Sequence, residues 1–210
     1  RQHKAQAGCF MSHYRVIKDA QEKHQHAIQM LRMAKNDNER TAAEVAIKEY
    51  DSILILEDDN GFGWVNKPPI GPATVNMQGS GNAFKQIMRE LPKDWDMLYL
   101  LSIECGPKGT GWMKAKSPSF SKHLNRLQYG LLTNAVAINS RAYPIILKAL
   151  SKIDDPLQKF RPVDHEYARL HKKLNVFTPK HPLAYQAPGE SSIIEASRAE
   201  PWNGVWDRGL

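Results

Sequence analysis

Apolar and polar positions along this chain follow two different periods. Val16, Ile17, Ala20, Ala27, Ile28 and Leu31 share one side of a helix, and Ser12 is placed to cap its start. Asn36-Asp37-Asn38 interrupts that period. Thr41 and Glu44 have capping-box spacing and open a second helix that ends near Tyr50. Short aliphatic runs then appear at residues 53–56, 97–101, 135–138 and 176–178, and each reads as a buried strand. Between them lie helical stretches at 83–91, stopped by Pro92, and at 141–150, with Pro144 tolerated in the first turn. Pro162-Val163-Asp164 opens a further helix that runs to about Lys173, and Asn175 is suited to end it in the left-handed conformation. Residues 60–82 and 102–129 carry the Gly and Pro breakers of irregular loops.

Strands alternating with helices define an α/β fold, an open, mostly parallel sheet flanked by helices. Only three or four strands are visible, fewer than such sheets commonly hold, so further strands are expected upstream of Arg1. The opening at Arg1 rather than Met reads as a processed product or a fragment. We expect one domain over 1–210, N-terminally incomplete, with 195–210 as a tail.

Charge changes the picture more than composition does. A net charge of +7 favours anionic partners: phosphate-bearing substrates, nucleic acid or an anionic membrane surface. The basic residues are scattered, with the densest stretch at Lys114, Lys116, Lys122, His123 and Arg126, which reads as a solvated loop. No zinc-finger spacing or basic–aromatic interleaving is present, so nucleic acid is not expected as the partner. No apolar stretch approaches the ~18 residues of a membrane span. Cys9 and Cys105 form no C-x-x-C spacing, and such sparse use points to a reducing compartment.

The sharpest chemistry is Glu57-Asp58-Asp59, directly after the first aliphatic run. The carboxyl ends of strands in open α/β sheets are where ligands bind. Crowded carboxylates repel, and a hard divalent cation relieves that repulsion while keeping positions open for phosphate oxygens. The plainer reading is an acidic start to a solvated loop. On a regular strand, Glu57 and Asp59 would share a face.

Taken in order, several segments resemble glycosyltransferase family 25, which includes lipooligosaccharide and collagen galactosyltransferases. Gly8-Cys9-Phe10-Met11-Ser12-His13 is similar to its Gly-Cys-x-x-Ser-His segment. Leu56-Glu57-Asp58-Asp59 is similar to its Leu-Glu-Asp-Asp strand end, and Trp95-Asp96-Met97-Leu98-Tyr99-Leu100 to its Trp-Asp-x-Leu-Tyr-Leu strand. Thr133 to Ile138 sits where the family has Gly-Thr-x-Ala-Tyr-x-Ile, with Leu132 in place of the Gly. Pro162-Val163-Asp164 and the segment Pro182 to Gln186, followed by Ser191-Ser192, resemble its later motifs.

The resemblance implies a type A glycosyltransferase-like sheet and a metal-dependent, inverting transfer. A hexose, galactose or glucose, would move from a UDP-sugar to a glycan or glycolipid acceptor such as lipooligosaccharide. It implies Mn²⁺ or Mg²⁺ held by Asp59, with Glu57 or Asp58 contacting metal or ribose, and His181 is a further candidate for metal or diphosphate. Ser12 and His13, at an expected helix start, would meet donor phosphate. Gln186, Ser191 and Ser192 would bond sugar hydroxyls, where ordinary turn chemistry is the plainer reading. Asp164, with Glu166 as second choice, would be the general base, although Asp164 equally suits a helix N-cap. Trp95 reads as core; Trp64, Trp112, Trp202 and Trp206 are candidates for sugar or membrane contact. The implied location is cytoplasmic, peripheral at the inner membrane face, where a basic surface suits anionic lipid. The competing readings are a non-catalytic carbohydrate- or protein-binding relative, and a basic nucleic-acid-binding domain.

Overall fold

The computed structural model describes residues 2–58, 60–62, 64–65, 75–76, 80–104, 117–151 and 162–186. In chain order these form α1 (Gln2–Met33), α2 (Asp37–Tyr50), β1 (Ser52–Leu56), β2 (Asn60–Phe62), β3 (Trp64–Val65), β4 (Val75–Asn76) and α3 (Ser80–Glu90). Then come β5 (Met97–Tyr99), β6 (Ile103–Glu104), β7 (Leu124–Arg126), β8 (Gly130–Leu131) and β9 (Ala135–Asn139). A short 3₁₀ turn, Ser140–Ala142, leads into α4 (Tyr143–Leu150), α5 (Val163–Leu170), β10 (Val176–Pro179) and β11 (Ala184–Gln186).

The main sheet has the order β1-β9-β5-β10-β7. It is mixed, which corrects the largely parallel expectation. Among the described strands only β10 and β5 pair in parallel; β1–β9, β9–β5 and β10–β7 are antiparallel. A strand buried on both faces is a continuous apolar run in either direction, so the sequence pattern carries no sign of this. β1, β5 and β10 nevertheless share one direction, and their carboxyl ends meet at one edge of the sheet.

Strand alternation divides the core in two. Ile55, Met97, Tyr99, Val136, Ile138 and Val176 face α1, α4 and α5, meeting Phe10, Ile17, Tyr143, Ile146 and Tyr167. Leu98, Leu100, Ala135, Ala137 and Phe177 face the other way, against Ile87 of α3, Trp95 and Leu183. Trp95 is therefore core, as read from sequence. β1 is not a fully buried strand. It is a sheet edge, and Leu54 and Leu56 on its second face are 42% and 44% exposed. That strand earns its place through its other face, where Ile53 and Ile55 pack under α1.

Several helix boundaries differ from the sequence reading. Ser12 lies well inside α1, and its hydroxyl donates to the Gly8 carbonyl at 3.0 Å rather than capping anything. The apolar stripe Phe10, Ile17, Ala20 and Ala27 continues through that point without a break, which is why the helix does not start there. The cap of α2 is Asn36, whose side chain accepts from the Glu39 N–H at 3.0 Å, while Thr41 and Glu44 lie within the helix. Asn175 is not left-handed; Leu132 is the one non-glycine residue with positive φ among those described. Asn175 instead donates its side-chain amide to Asp94, accepts from Arg126 at its side-chain oxygen, and donates its backbone N–H to the Asp96 carboxylate. Arg126 stacks over Phe177 at 5.1 Å, and His123 pairs with Glu90, so part of the basic stretch is structural. Lys114 and Lys116 fall outside the described residues.

Candidate functional site

β1 ends at Leu56, and the chain turns at Asp58, so strand alternation stops before Asp59. Glu57 continues the inward face of Ile53 and Ile55 and meets α1. Its backbone N–H donates to the Asn134 carbonyl at 3.0 Å, which fixes it against the start of β9. Its Oε1 then accepts three side chains. Thr133 Oγ1 donates at 2.8 Å, His13 Nε2 lies at 3.4 Å, and Cys9 Sγ donates at 3.7 Å. Cys9 and His13 are four residues apart on α1, so they lie on one face of it.

His13 is buried at 2% exposure, and its Nδ1 lies 3.1 Å from the Tyr167 hydroxyl on α5. With Nε2–H given to Glu57, Nδ1 accepts from that hydroxyl. Burial, then the nearby Cys9 and Glu57, push the Tyr167 phenol well above its ordinary range, so it remains a donor. For Glu57, burial alone would raise the carboxyl. The bonds donated by His13, Thr133 and Cys9 outweigh it and hold the group below its usual value.

Two features nearby are strained or unsatisfied. Asn134 is 2% exposed, and neither atom of its side-chain amide has a partner among the described residues. An unpaired buried amide costs about 1–3 kcal/mol, so such groups are uncommon. Leu132, two residues before it, has φ 76°, the left-handed region that favours glycine. Its side chain is half-buried against both Leu131 and the second core face. We expect Leu132→Gly to be more stable than Leu132→Ala by about 1 kcal/mol, since both lose the packing but only Ala keeps the strain. Chemical denaturation of the two variants checks this; at an ordinary position Ala would be the more stable.

The other sequence-derived candidates divide by place. Asp58 is exposed in the turn and has no hydrogen-bond partner among the described residues. Asp59, Ser191 and Ser192 lie outside the described residues. Gln186 pairs with Asn60 across β11 and β2, which brings its backbone beside the segment that follows the acidic turn. His181 is exposed, in the bend after β10. Asp164 is not an N-cap: Pro162 occupies that position, and Asp164 Oδ1 accepts from the adjacent His165 N–H at 2.8 Å. It stands in the first turn of α5, one turn before Tyr167, and its charge is felt at the Tyr99 hydroxyl. Glu166 pairs with Arg169 at 3.5 Å. Ser12 is exposed on α1, and with it mid-helix the free N–H groups expected to meet phosphate beside Ser12 and His13 are absent there.

Thus the structure joins Glu57 to His13, and adds Cys9, Thr133 and Tyr167, which sequence reasoning did not single out. A His inside an apolar helical stripe with a Cys four residues before it was the available signal.

The two described carboxylates of the acidic run, Glu57 and Asp58, differ in what they offer a hard cation. Asp58 fits, as an outward oxygen ligand. Glu57 is turned inward instead, where its Oε1 accepts from a thiol, an imidazole and a hydroxyl, a mixed neighbourhood rather than an all-oxygen one. Comparison with known proteins gives no match to any protein-family model, curated protein or solved structure. What fold and site define is an α/β protein with a mixed open sheet flanked by helices and a polar cluster at the carboxyl end of its edge strand. Among the described residues, no helix is long and apolar enough to cross a membrane.

Proposed function

We propose that this chain is a glycosyltransferase domain that moves galactose or glucose from a UDP-sugar to a glycan acceptor such as lipooligosaccharide, with inversion. The observation that carries this reading is convergence at one sheet edge. The exposed Asp58 turn and the start of β9 meet at the carboxyl end of β1, and β11 brings Gln186 beside Asn60, just after the turn. Edges of that kind are where open α/β sheets take their ligands. The unpaired Asn134 amide at the same edge supports a polar ligand nearby.

In this reading Asp58 and Asp59 would hold Mn²⁺ or Mg²⁺, which when bound neutralises charge on a diphosphate leaving group. The residues of the chain orient the donor and take the acceptor proton, with Asp164 as the base and Glu166 as the second choice. The excess of positive charge suits a phosphorylated glycolipid and peripheral contact with an anionic cytoplasmic leaflet.

A second reading, a non-catalytic carbohydrate- or protein-binding relative, draws on the inward commitment of Glu57. Amide chemical-shift mapping with UDP-galactose and UDP-glucose, with and without Mn²⁺, separates the two. Sugar transfer predicts Mn²⁺-dependent shifts at Asp58, Asn60 and Gln186, weakened in Asp58→Asn. Shifts from glycan alone, and none from either nucleotide sugar, would favour the binding relative.

A further inference from the structure

We propose that Cys9, His13 and Glu57 form a binding site for a borderline-soft divalent ion such as Zn²⁺, separate from any cation at the Asp58 turn. This assignment does not rest on the sugar-transfer reading. It rests on donor type, spacing and outer-shell support.

The three donor atoms lie within 4.8 Å of one another. Zinc bonds of about 2.0–2.3 Å at tetrahedral angles place two ligand atoms about 3.3–3.7 Å apart. Here Nε2 and Oε1 are 3.4 Å apart, and Sγ and Oε1 are 3.7 Å apart. A hydrogen-bonded cluster of this shape needs little rearrangement to accept an ion at its centre. A thiolate, an imidazole and one carboxylate oxygen suit Zn²⁺, whereas Mg²⁺ and Mn²⁺ prefer oxygen alone. Three protein ligands leave the fourth position to water, and the partly exposed Cys9 and Glu57 give an entry path.

The outer shell is already in place. Histidine ligands almost always engage their second nitrogen, and carboxylate ligands are themselves hydrogen-bonded. Tyr167 holds His13 Nδ1, and Thr133 holds Glu57. With Zn²⁺ on Nε2, the imidazole proton sits on Nδ1 and is donated to the Tyr167 oxygen. The Cys9 thiol gives up its proton, while Glu57 is already ionised and His13 neutral, so one proton leaves per site filled. The thiolate and the carboxylate together balance the ion's double positive charge.

The test uses the full chain, stripped with a chelator and titrated with Zn²⁺ by calorimetry in two buffers of different ionisation enthalpy. Co²⁺ is then bound in place of Zn²⁺ and its absorption recorded. We expect one tight site, release of about one proton, and a thiolate-to-cobalt charge-transfer band. Cys9→Ser should lose that band, and Thr133→Val, which keeps all three ligands, should weaken Zn²⁺ binding about 10–100-fold. Far-ultraviolet circular dichroism of the metal-free variants confirms that each is folded. Zn²⁺ affinity unchanged in Cys9→Ser, Co²⁺ bound without the thiolate band, or no Zn²⁺ uptake by the folded wild type would each overturn the proposal.

Discussion

Lowering the pH from about 6.5 to about 4 should cost the fold about 3 kcal/mol through His171 alone. His171 is 4% exposed. Its Nδ1 accepts the Gly130 N–H at 3.3 Å, and its Nε2 donates to the Tyr99 hydroxyl at 3.0 Å. A second proton would have to sit on Nδ1, opposite the Gly130 donor, in a site with little water. Burial accordingly lowers the imidazole to about 4. Between that value and the unfolded one near 6.5, the unfolded chain carries the proton and the folded chain does not. The stabilisation is therefore complete above about 6.5 and falls away as the pH drops through the window. Glu57 acts lower down: its depressed carboxyl stabilises the fold above the unfolded value near 4.5, and that stability is lost as pH falls through the folded value. Urea unfolding of the wild type and His171→Gln at pH 7, 6, 5 and 4.5 separates the two groups. The Gln variant keeps a donor and an acceptor but should lose most of the slope above pH 4.5. Equal slopes in both proteins would remove His171 as the cause.

The largest effect on activity is expected from Asp164→Asn. In the proposed reaction Asp164 removes the acceptor proton, and loss of a general base lowers turnover typically ~10²–10⁴-fold. Because Pro162, not Asp164, holds the N-cap position, the substitution removes only a first-turn carboxylate. Such a charge contributes about 0.3–1 kcal/mol to a helix. Turnover should therefore collapse while the melting temperature and UDP-sugar affinity change little. Near-normal turnover would exclude Asp164 and move the base to Glu166, whose ion pair with Arg169 would then have to open.

The elements of this fold were legible where periodicity is local. The runs at 53–56, 97–101, 135–138 and 176–178 contain β1, β5, β9 and β10 almost to the residue. Pro92 and the Asn36–Asn38 break were also readable. The order and direction of the strands were not, because register across the sheet joins Ile55 to Val136 and Phe177 to Leu98, and no local pattern encodes such pairs. The site was half legible. Glu57 and His13 stood out as polar residues beside apolar runs, but their meeting, and the arrival of Thr133 and Tyr167, depend on α1 and α5 packing on the same sheet face. Ser12 misled because a good cap residue can also sit mid-helix, its hydroxyl returned to the preceding turn. Leu132 was the informative departure: it has left-handed backbone, without glycine's freedom to adopt it cheaply.

The most direct measurement is release of UDP from UDP-galactose and UDP-glucose by the full chain. It is made with Mn²⁺ present or chelated, and with or without a lipooligosaccharide acceptor. Sugar transfer predicts Mn²⁺-dependent UDP release that rises with acceptor and falls sharply in both Asp58→Asn and Asp164→Asn. UDP release at the uncatalysed rate under every condition, from protein shown to be folded and to bind the acceptor, would contradict the transferase reading and leave a carbohydrate-binding protein in its place.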